Sequence, residues 1–438
     1  MTNTFSAGAG SSDITPTDSQ FLYGYPHVKR YSTGINDPLL SSALYMSDGR
    51  IQVMFIANDI VCLRNDIVTR IRLRISEAVP IPKGNIMITS THTHSGPITV
   101  NHLSTETDTV LPKVDPNYIQ FLEDGIVTAG IHAYQHAVPA QLGLAVADST
   151  GIGTNRRDPA GPSDHEVPVL MVRKADGKQN IACMLVCSMH PTVLHEDSTL
   201  ISGDFPGMSR QFLQENILGK NCPVLHHTGP SGNQSPRHVT RGNTFEEAVR
   251  LGCILGKAVA KVIPSIEYSS DVPLHCSQAF LDLPGKEFPS PEKAKTKLEQ
   301  AVSRLEQLRK SNAPRQETRT AECDWFGAEE TLCLARAAHD GRLADVIKSC
   351  MPGEVQMIKV GRWCFTGWPA EVFVDYALAV KKVHKNIFII SLANNELQGY
   401  IVTPEAVAEG GYEASNGLFR AESGQMLVDQ TLRMTTQV

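Results

Sequence analysis

The sequence predicts an α/β fold of the mixed α+β kind: mixed β-sheets, flanking helices and a helical insertion near residues 289–350. Three observations carry this reading. Short apolar runs of strand length alternate with segments of helical periodicity from residue 51 to 263. Residues 289–350 interrupt the alternation with helical spacing alone, and it resumes from 356 to 394.

Taken in order, "IQVMFIAND" (51–59) is a continuous apolar run, and "DIVTRIRLRISEAV" (66–79) follows at helical spacing. "NIMITST" (85–91) reads as a strand and "YIQFLEDGIVTAGIHAYQHA" (118–137) as a helix, with "QLGLAVADS" (141–149) and "VPVLMVRK" (167–174) as further strands. The alternation continues with strand "NIACMLVCSM" (180–189), helix "PGMSRQFLQENIL" (206–218) and strand "PVLHH" (223–227). A loop rich in turn formers, "TGPSGNQSP" (228–236), then leads to helix "FEEAVRLGCILGKAVAKVI" (245–263). In the insertion, Ser290-Pro291 makes a helix start, because proline lacks only an N–H that a first turn leaves unpaired. Leu298, Ala301, Val302, Leu305 and Leu308 then recur along one face. A polar linker (310–324) separates this helix from a second one (about 327–350), and the pair is expected to be a structural hairpin. Strands within 356–369 and 386–394 flank a helix at 371–383. No repeat or compositional boundary divides the 438 residues, so one domain spanning 1–438 is expected.

Composition removes several classes of function. Forty Lys and Arg are scattered among 46 Asp and Glu, giving a net charge of −6 and no basic stripe for nucleic acid. No stretch approaches the roughly 20 apolar residues of a membrane span. The amino terminus has no Lys or Arg before residue 29 and no apolar core of signal-peptide length. The ten cysteines form no CxxC pair, and several lie inside apolar runs, as reduced, buried small hydrophobes do. The expectation is a soluble cytoplasmic protein, with homo-oligomerisation left open.

The chemistry begins at "ITSTHTHSGP" (88–97). In a strand, residues i and i+2 share a face, so His92 and His94 can enter one site. That permits a shared metal, and equally one ligand with a supporting partner or two hydrogen-bonded side chains. Other donors stand at the same kind of place. His190 follows a strand and precedes Pro191, Glu371 lies just past a strand and a proline at a helix start, and Tyr400 lies in the loop after another strand. Sites in such folds collect at the carboxyl ends of strands. Two imidazoles, a carboxylate and a phenol suit zinc and leave room for water or a substrate oxygen. Singly, Glu371 also fits a helix start, and Tyr400 a half-buried core position.

The segment "GNIMITSTHTHSGP" (84–97) resembles the "THTHSGP" signature of the neutral/alkaline ceramidase family, zinc-dependent hydrolases of the ceramide amide bond. Further segments line up in the family's order: "TNRRDP" (154–159), "MHPTVL…ISGDFPG" (189–207), "SGNQSP" (231–236), "GWPAEVF" (367–373) and "GYIVTPEAV…GGYEASNGLF" (399–419). The resemblance covers about residues 7–430. It implies a neutral-ceramidase-like catalytic domain, here without the family's carboxyl-terminal β-sandwich domain. It also implies that His92, His190, Glu371 and Tyr400 hold one Zn2+ per chain, with His94 beside it exchanging protons. Ser235 would approach the scissile group, and Arg156 and Tyr412 would contact the substrate or the developing oxyanion. Arg157 stands where the family usually has serine, so a one-residue shift would exchange the two arginines.

The implied reaction is hydrolysis of a C–N amide bond in a small-molecule or lipid-like acyl substrate by zinc-activated water. A small soluble ester or lactone is the alternative on the same zinc, and suits a cytoplasmic enzyme better than a two-tailed lipid. The loop after Pro97, "ITVNHLSTETDTVLP" (98–112), lacks the family's glycines, which predicts a differently shaped pocket mouth. Nucleophilic attack by Ser235 is a rival route, although Gly232, Asn233 and Pro236 make it equally a turn serine. Two other readings remain. One is a (β/α)8-barrel amidohydrolase, whose HxH pair lies on the first strand, whereas here strand 51–59 comes earlier. The other is a non-catalytic metal-binding homologue. His195, His226, His227 and His238 match no motif and read as loop or core residues.

Overall fold

In the computed structural model, which describes residues 5–436, the larger sheet has nine strands. Their order is Val224–Thr228, Asn180–Cys187, Glu166–Lys174, Val138–Asp148, Ser6–Asp13, Leu40–Ser47, Gln52–Asn58 and Ile86–Ser90, with Tyr268–Ser269 added against Val138–Asp148. The pairs at the two ends of this order are parallel and the rest antiparallel. Parallel neighbours need a crossover, and each end has one: helix Asn65–Ala78 before Ile86–Ser90, and helix Asp204–Leu213 before Val224–Thr228. The antiparallel middle excludes a (β/α)8 barrel.

The ends of the sheet come together. Thr228 Oγ1 donates to the Thr91 carbonyl at 2.7 Å, and Thr89 Oγ1 lies 2.7 Å from His227 Nδ1. The sheet therefore curls until its two parallel units sit side by side, with the loops that follow them adjacent. A smaller sheet, in the order Leu274–Leu281, Gly353–Val360, Trp363–Gly367 and Ile387–Ile390, packs on the larger one. Phe55, Met87 and Met184 share a core with Ile358, Phe365 and Phe388. The chain leaving Ile387–Ile390 also bonds both ends of the larger sheet: Ser391 N–H donates to Thr228 O and Asn394 N–H to Ile88 O, each at 2.8 Å. A buried ion pair adds to the junction, Arg72 reaching Glu354 with two contacts of 2.8 and 2.9 Å.

Most expected elements are present with shifted ends. The helix read at 118–137 is Pro116–Gln135, because Asp115 caps it, accepting from Asn117 N–H at 2.9 Å. Ser290 likewise caps Pro291–Lys310. The linker at 310–324 is a misreading, since helix Arg315–His339 takes in most of it and leaves residues 311–314 as the turn. Its polarity belongs to an exposed helical face. Glu371 does not start a helix. It lies in the short strand Glu371–Val372, and the helix runs over Val374–Val383. Tyr400 is likewise in a strand, Tyr400–Ile401, and not in a loop.

Three long strands were not expected: Ser6–Asp13, Leu40–Ser47 and Leu274–Leu281. The first, "SAGAGSSD", reads as a loop by composition, yet its glycines have a packing reason. A Cβ on Gly8 would come within 2.3 Å of the Ala133 carbonyl, and one on Gly10 within 2.5 Å of the Ala129 carbonyl. The Pro116–Gln135 helix therefore lies directly on this strand. All ten cysteines are free, as expected. No helix among the described residues is long and apolar enough to cross a membrane.

Candidate functional site

The Ile86–Ser90 strand ends before the histidine pair, so alternation along a strand is not what joins His92 to His94. His92 instead adopts a left-handed conformation, with φ +68. Such a backbone costs a non-glycine residue on the order of 1 kcal/mol. Two hydrogen bonds hold it there: His92 N–H donates to Ile60 O at 2.9 Å, and Nδ1 to Val61 O at 2.8 Å. The turn brings the His92 and His94 ring centres to 5.0 Å, and those of His92 and His190 to 4.9 Å.

His190 follows the Asn180–Cys187 strand and is fully buried, its Nδ1 donating to Ser231 O at 2.6 Å. Both imidazoles thus spend their Nδ1 proton on a backbone carbonyl, which leaves each Nε2 as a bare lone pair. Those two nitrogens point at one oxygen, Glu371 Oε2, at 3.2 Å from His92 and 3.0 Å from His190. With both rings neutral, three acceptors converge without a donor, an arrangement that a cation between them would satisfy. The set fits a divalent metal such as zinc, with histidine orientation fixed by the far nitrogen. Glu371 Oε2 is contributed from the smaller-sheet side, where Glu371 pairs in parallel register with Tyr400. Burial pushes the Glu371 carboxyl up, but His92 and His190 outweigh it and hold it well below the usual carboxylate range.

His94 completes a compact group, its ligand atom lying within 4.8 Å of those of His92 and His190. Its Nδ1 is buried without a hydrogen-bond partner. Burial, reinforced by His92 and His190, holds its pKa well below the usual histidine value.

The remaining expected residues gather on one side of this group. The Arg156 guanidinium lies 5.1 Å from the centre of the Tyr400 ring, and Tyr400 meets Tyr412 edge to face at 6.0 Å. Arg156 is positioned by Gly232 O at 2.6 Å and by Glu413 at 2.8 Å. Arg157 turns away, to Glu409 and Glu413 at 2.9 Å each. Of the two arginines, Arg156 is the one against Tyr400. Ser235 sits in a two-residue strand paired with Thr154–Asn155, which brings the two matched segments together. Its Oγ has one hydrogen bond among the described residues, accepted from Arg237 N–H at 3.3 Å.

Two cavities meet at the group. An outer one of about 1280 Å³ takes in His94, Arg156, Ser235, Tyr400 and Tyr412. An inner one of about 80 Å³ adds His92, Glu371, His102, Glu330 and Glu396. Sequence reasoning missed the inner residues. His102 comes from the loop after Pro97 and lies between the Tyr23 hydroxyl (3.0 Å from Nδ1) and Glu396 (2.9 Å from Nε2). Glu330 belongs to helix Arg315–His339, so the hairpin expected to be structural lines both cavities. Gly24 and Tyr25 were missed as well. Tyr25 packs against His94 and His195 at 5.4 and 5.1 Å. His226 and His227 are core residues, each brought by burial to about 3, and His238 donates to the Arg156 carbonyl at 3.2 Å.

The family model for the neutral/alkaline non-lysosomal ceramidase amino-terminal domain matches residues 5–225. A curated relative, the neutral ceramidase of Mycobacterium tuberculosis, is 24% identical over 237 residues, which is 49% of this chain and 36% of that protein. The match therefore spans about a third of that relative's length. The crystal structure of neutral ceramidase from Pseudomonas aeruginosa superposes with a TM-score of 0.76 at 17% identity, over 99% of this chain and 75% of that one. A ceramidase complexed with C2 gives 0.74 at 16% identity, over 99% and 76%. These structures share the mixed α/β fold described above, and the matched segment contains His92, His94, Arg156 and His190. This chain is a member of the neutral/alkaline non-lysosomal ceramidase family.

Proposed function

We propose that the chain is a zinc-dependent hydrolase that cleaves a C–N amide bond in an N-acyl substrate, within one catalytic domain. The observation that carries this is the convergence of two carbonyl-anchored imidazoles on one Glu371 oxygen at 3.0 and 3.2 Å. His92, His190, Glu371 and Tyr400 would hold the ion. Bound zinc supplies Lewis acidity, enough to bring the pKa of water from about 16 to about 7.

The chain's own groups do the rest. His94, kept neutral by burial and its two histidine neighbours, would hold a proton only in passing and give it up readily to the departing nitrogen. Burial alone would lower the Arg156 guanidinium, but Tyr400 and Glu413 outweigh it and keep it charged. Burial pushes the Tyr412 phenol up, so it keeps its proton, which it donates to Glu330 and would turn to the oxyanion. Arg156 and Tyr412 would stabilise the oxyanion as the carbonyl becomes tetrahedral, and losing one such donor costs about 100-fold to 1000-fold in rate. Ser235 is a wall residue in this scheme, because no histidine hydrogen-bonds its hydroxyl among the described residues. Ser235→Ala should keep at least about a tenth of kcat; complete loss in a folded protein would favour the acyl-serine route. Ten free cysteines support a reducing, cytoplasmic setting.

The test is elemental analysis of protein purified without added metal, paired with a hydrolysis screen of N-acyl sphingosines, short N-acyl amines, esters and lactones. About one zinc per chain with amide turnover is expected. Turnover of esters or lactones alone would move the reaction class. Metal without turnover would make this a binding homologue, and neither metal nor turnover would overturn the reading.

A further inference from the structure

The inner cavity is lined for something other than a hydrocarbon chain. Beyond the metal centre its wall carries three carboxylates, Asp108, which accepts from His27 N–H at 2.9 Å, Glu330 (6% exposed) and Glu396 (3% exposed), and no lysine or arginine lines it among the described residues. Carboxylates are rarely so buried unless paired. Glu396 is accounted for, with His102 Nε2 at 2.9 Å from one oxygen and Gly399 N–H at 3.0 Å from the other. Glu330 is not. No Lys, Arg or His lies within ion-pair distance of it among the described residues, and burial pushes its carboxyl up to about 7.

A second observation lies beside it. Asn416 is also nine-tenths buried (6% exposed) and lines the same cavity, and its Oδ1 has no hydrogen-bond donor. The orientation of the amide is fixed by Glu330, which takes a hydrogen bond from Asn416 and so faces its nitrogen. The cavity therefore presents a carboxylate without a counter-charge and an amide oxygen without a donor. A primary ammonium group has three donors, a charge and no acceptor.

We propose that the inner cavity binds a primary ammonium group through Glu330 and Asn416, so that the substrate is a short amide bearing a free amino group, such as a monoacylated diamine. The hydrolytic half of this rests on the proposed amidase activity; the binding half does not. The test uses the full metal-loaded chain. Thermal unfolding is followed against 1,4-diaminobutane and against 1-butanol as the neutral control. Turnover is then compared for N-acetyl-1,4-diaminobutane and its uncharged isostere N-pentylacetamide. The diamine should raise the midpoint saturably and the alcohol should not. kcat/KM should favour the charged amide by at least tenfold, and Glu330→Gln should erase both differences at unchanged metal content. Asn416→Leu should weaken them, which covers a Glu330 variant that fails to fold. Equal diamine binding by the parent and both variants, or a preference for N-pentylacetamide or N-acyl sphingosine, would overturn the proposal. Glu330-dependent diamine binding without turnover of any amide would support the cavity assignment and overturn the amidase reading.

Discussion

His94 is closely packed by Gly24 and Tyr25. Tyr25 packs edge-on against it, and Gly24 approaches so closely that a Cβ there would lie 2.5 Å from His94 Cγ. Gly24 also has φ +127, which side chains rarely adopt. Gly24→Ala should therefore displace the His94 ring without touching the His92, His190 and Glu371 group. The expected result is a fall in kcat of at least about tenfold with metal content unchanged; full activity would show that His94 needs no fixed position. Residues of this kind were hard to read from sequence. His92, His190, Glu371 and Tyr400 were legible because each donor stands just past an apolar run. Gly24 and Tyr25 lie in "FLYGYPHV", with no periodic neighbour to mark them. Glu330 looks like one more acid on a polar helix, and only the fold turns it inward.

At the scale of elements, the hairpin changes meaning between sequence and structure. Its polar residues read as a linker and a solvated face, because periodicity reports amphipathicity and not which cavity a helix covers. Helix Arg315–His339 is tied to the body near its middle by Trp325 stacking on His27 at 4.8 Å. At its start, Arg319 reaches Glu196 in the loop after His190 at 3.3 Å. Glu196 also accepts from His195 at 3.2 Å. The His195 hydrogen bond, with the Arg319 charge behind it, holds the Glu196 carboxyl at about 2 against the upward push of partial burial. A depressed carboxylate stabilises the fold above its ordinary pKa of about 4.5, and that contribution is lost as pH falls toward about 2. Protection factors of the backbone amides in residues 191–199 and 315–325, taken relative to intrinsic exchange at each pH, should therefore fall over that interval. In Glu196→Gln the protection should already be low at pH 6 and flat below it; an unchanged acid limb would assign the transition to another group.

At the scale of the molecule, the site is a joint. His92 and His190 come from opposite ends of the larger sheet, and Glu371 and Tyr400 follow strands of the smaller one. The long-range pairing behind this was not legible, because the glycine-rich first strand hides in composition and sheet closure leaves no local pattern. A cation held by these residues spans the same junction as the Arg72–Glu354 pair and the core shared by Phe55 and Phe388. Its binding energy should therefore appear as stability of the whole chain and not of one loop. Linkage sets the size: free metal at 100 times its Kd adds about 2.7 kcal/mol. Chelation should lower the unfolding midpoint of the parent chain as one cooperative transition and leave the midpoint of His190→Ala unmoved. The variant starts lower on its own account, since the Ser231 carbonyl loses its donor, at about 1–3 kcal/mol. If stripping the metal left the parent midpoint unchanged, the ion would have to sit within a single element, and the joint would be held by packing and the buried ion pair alone.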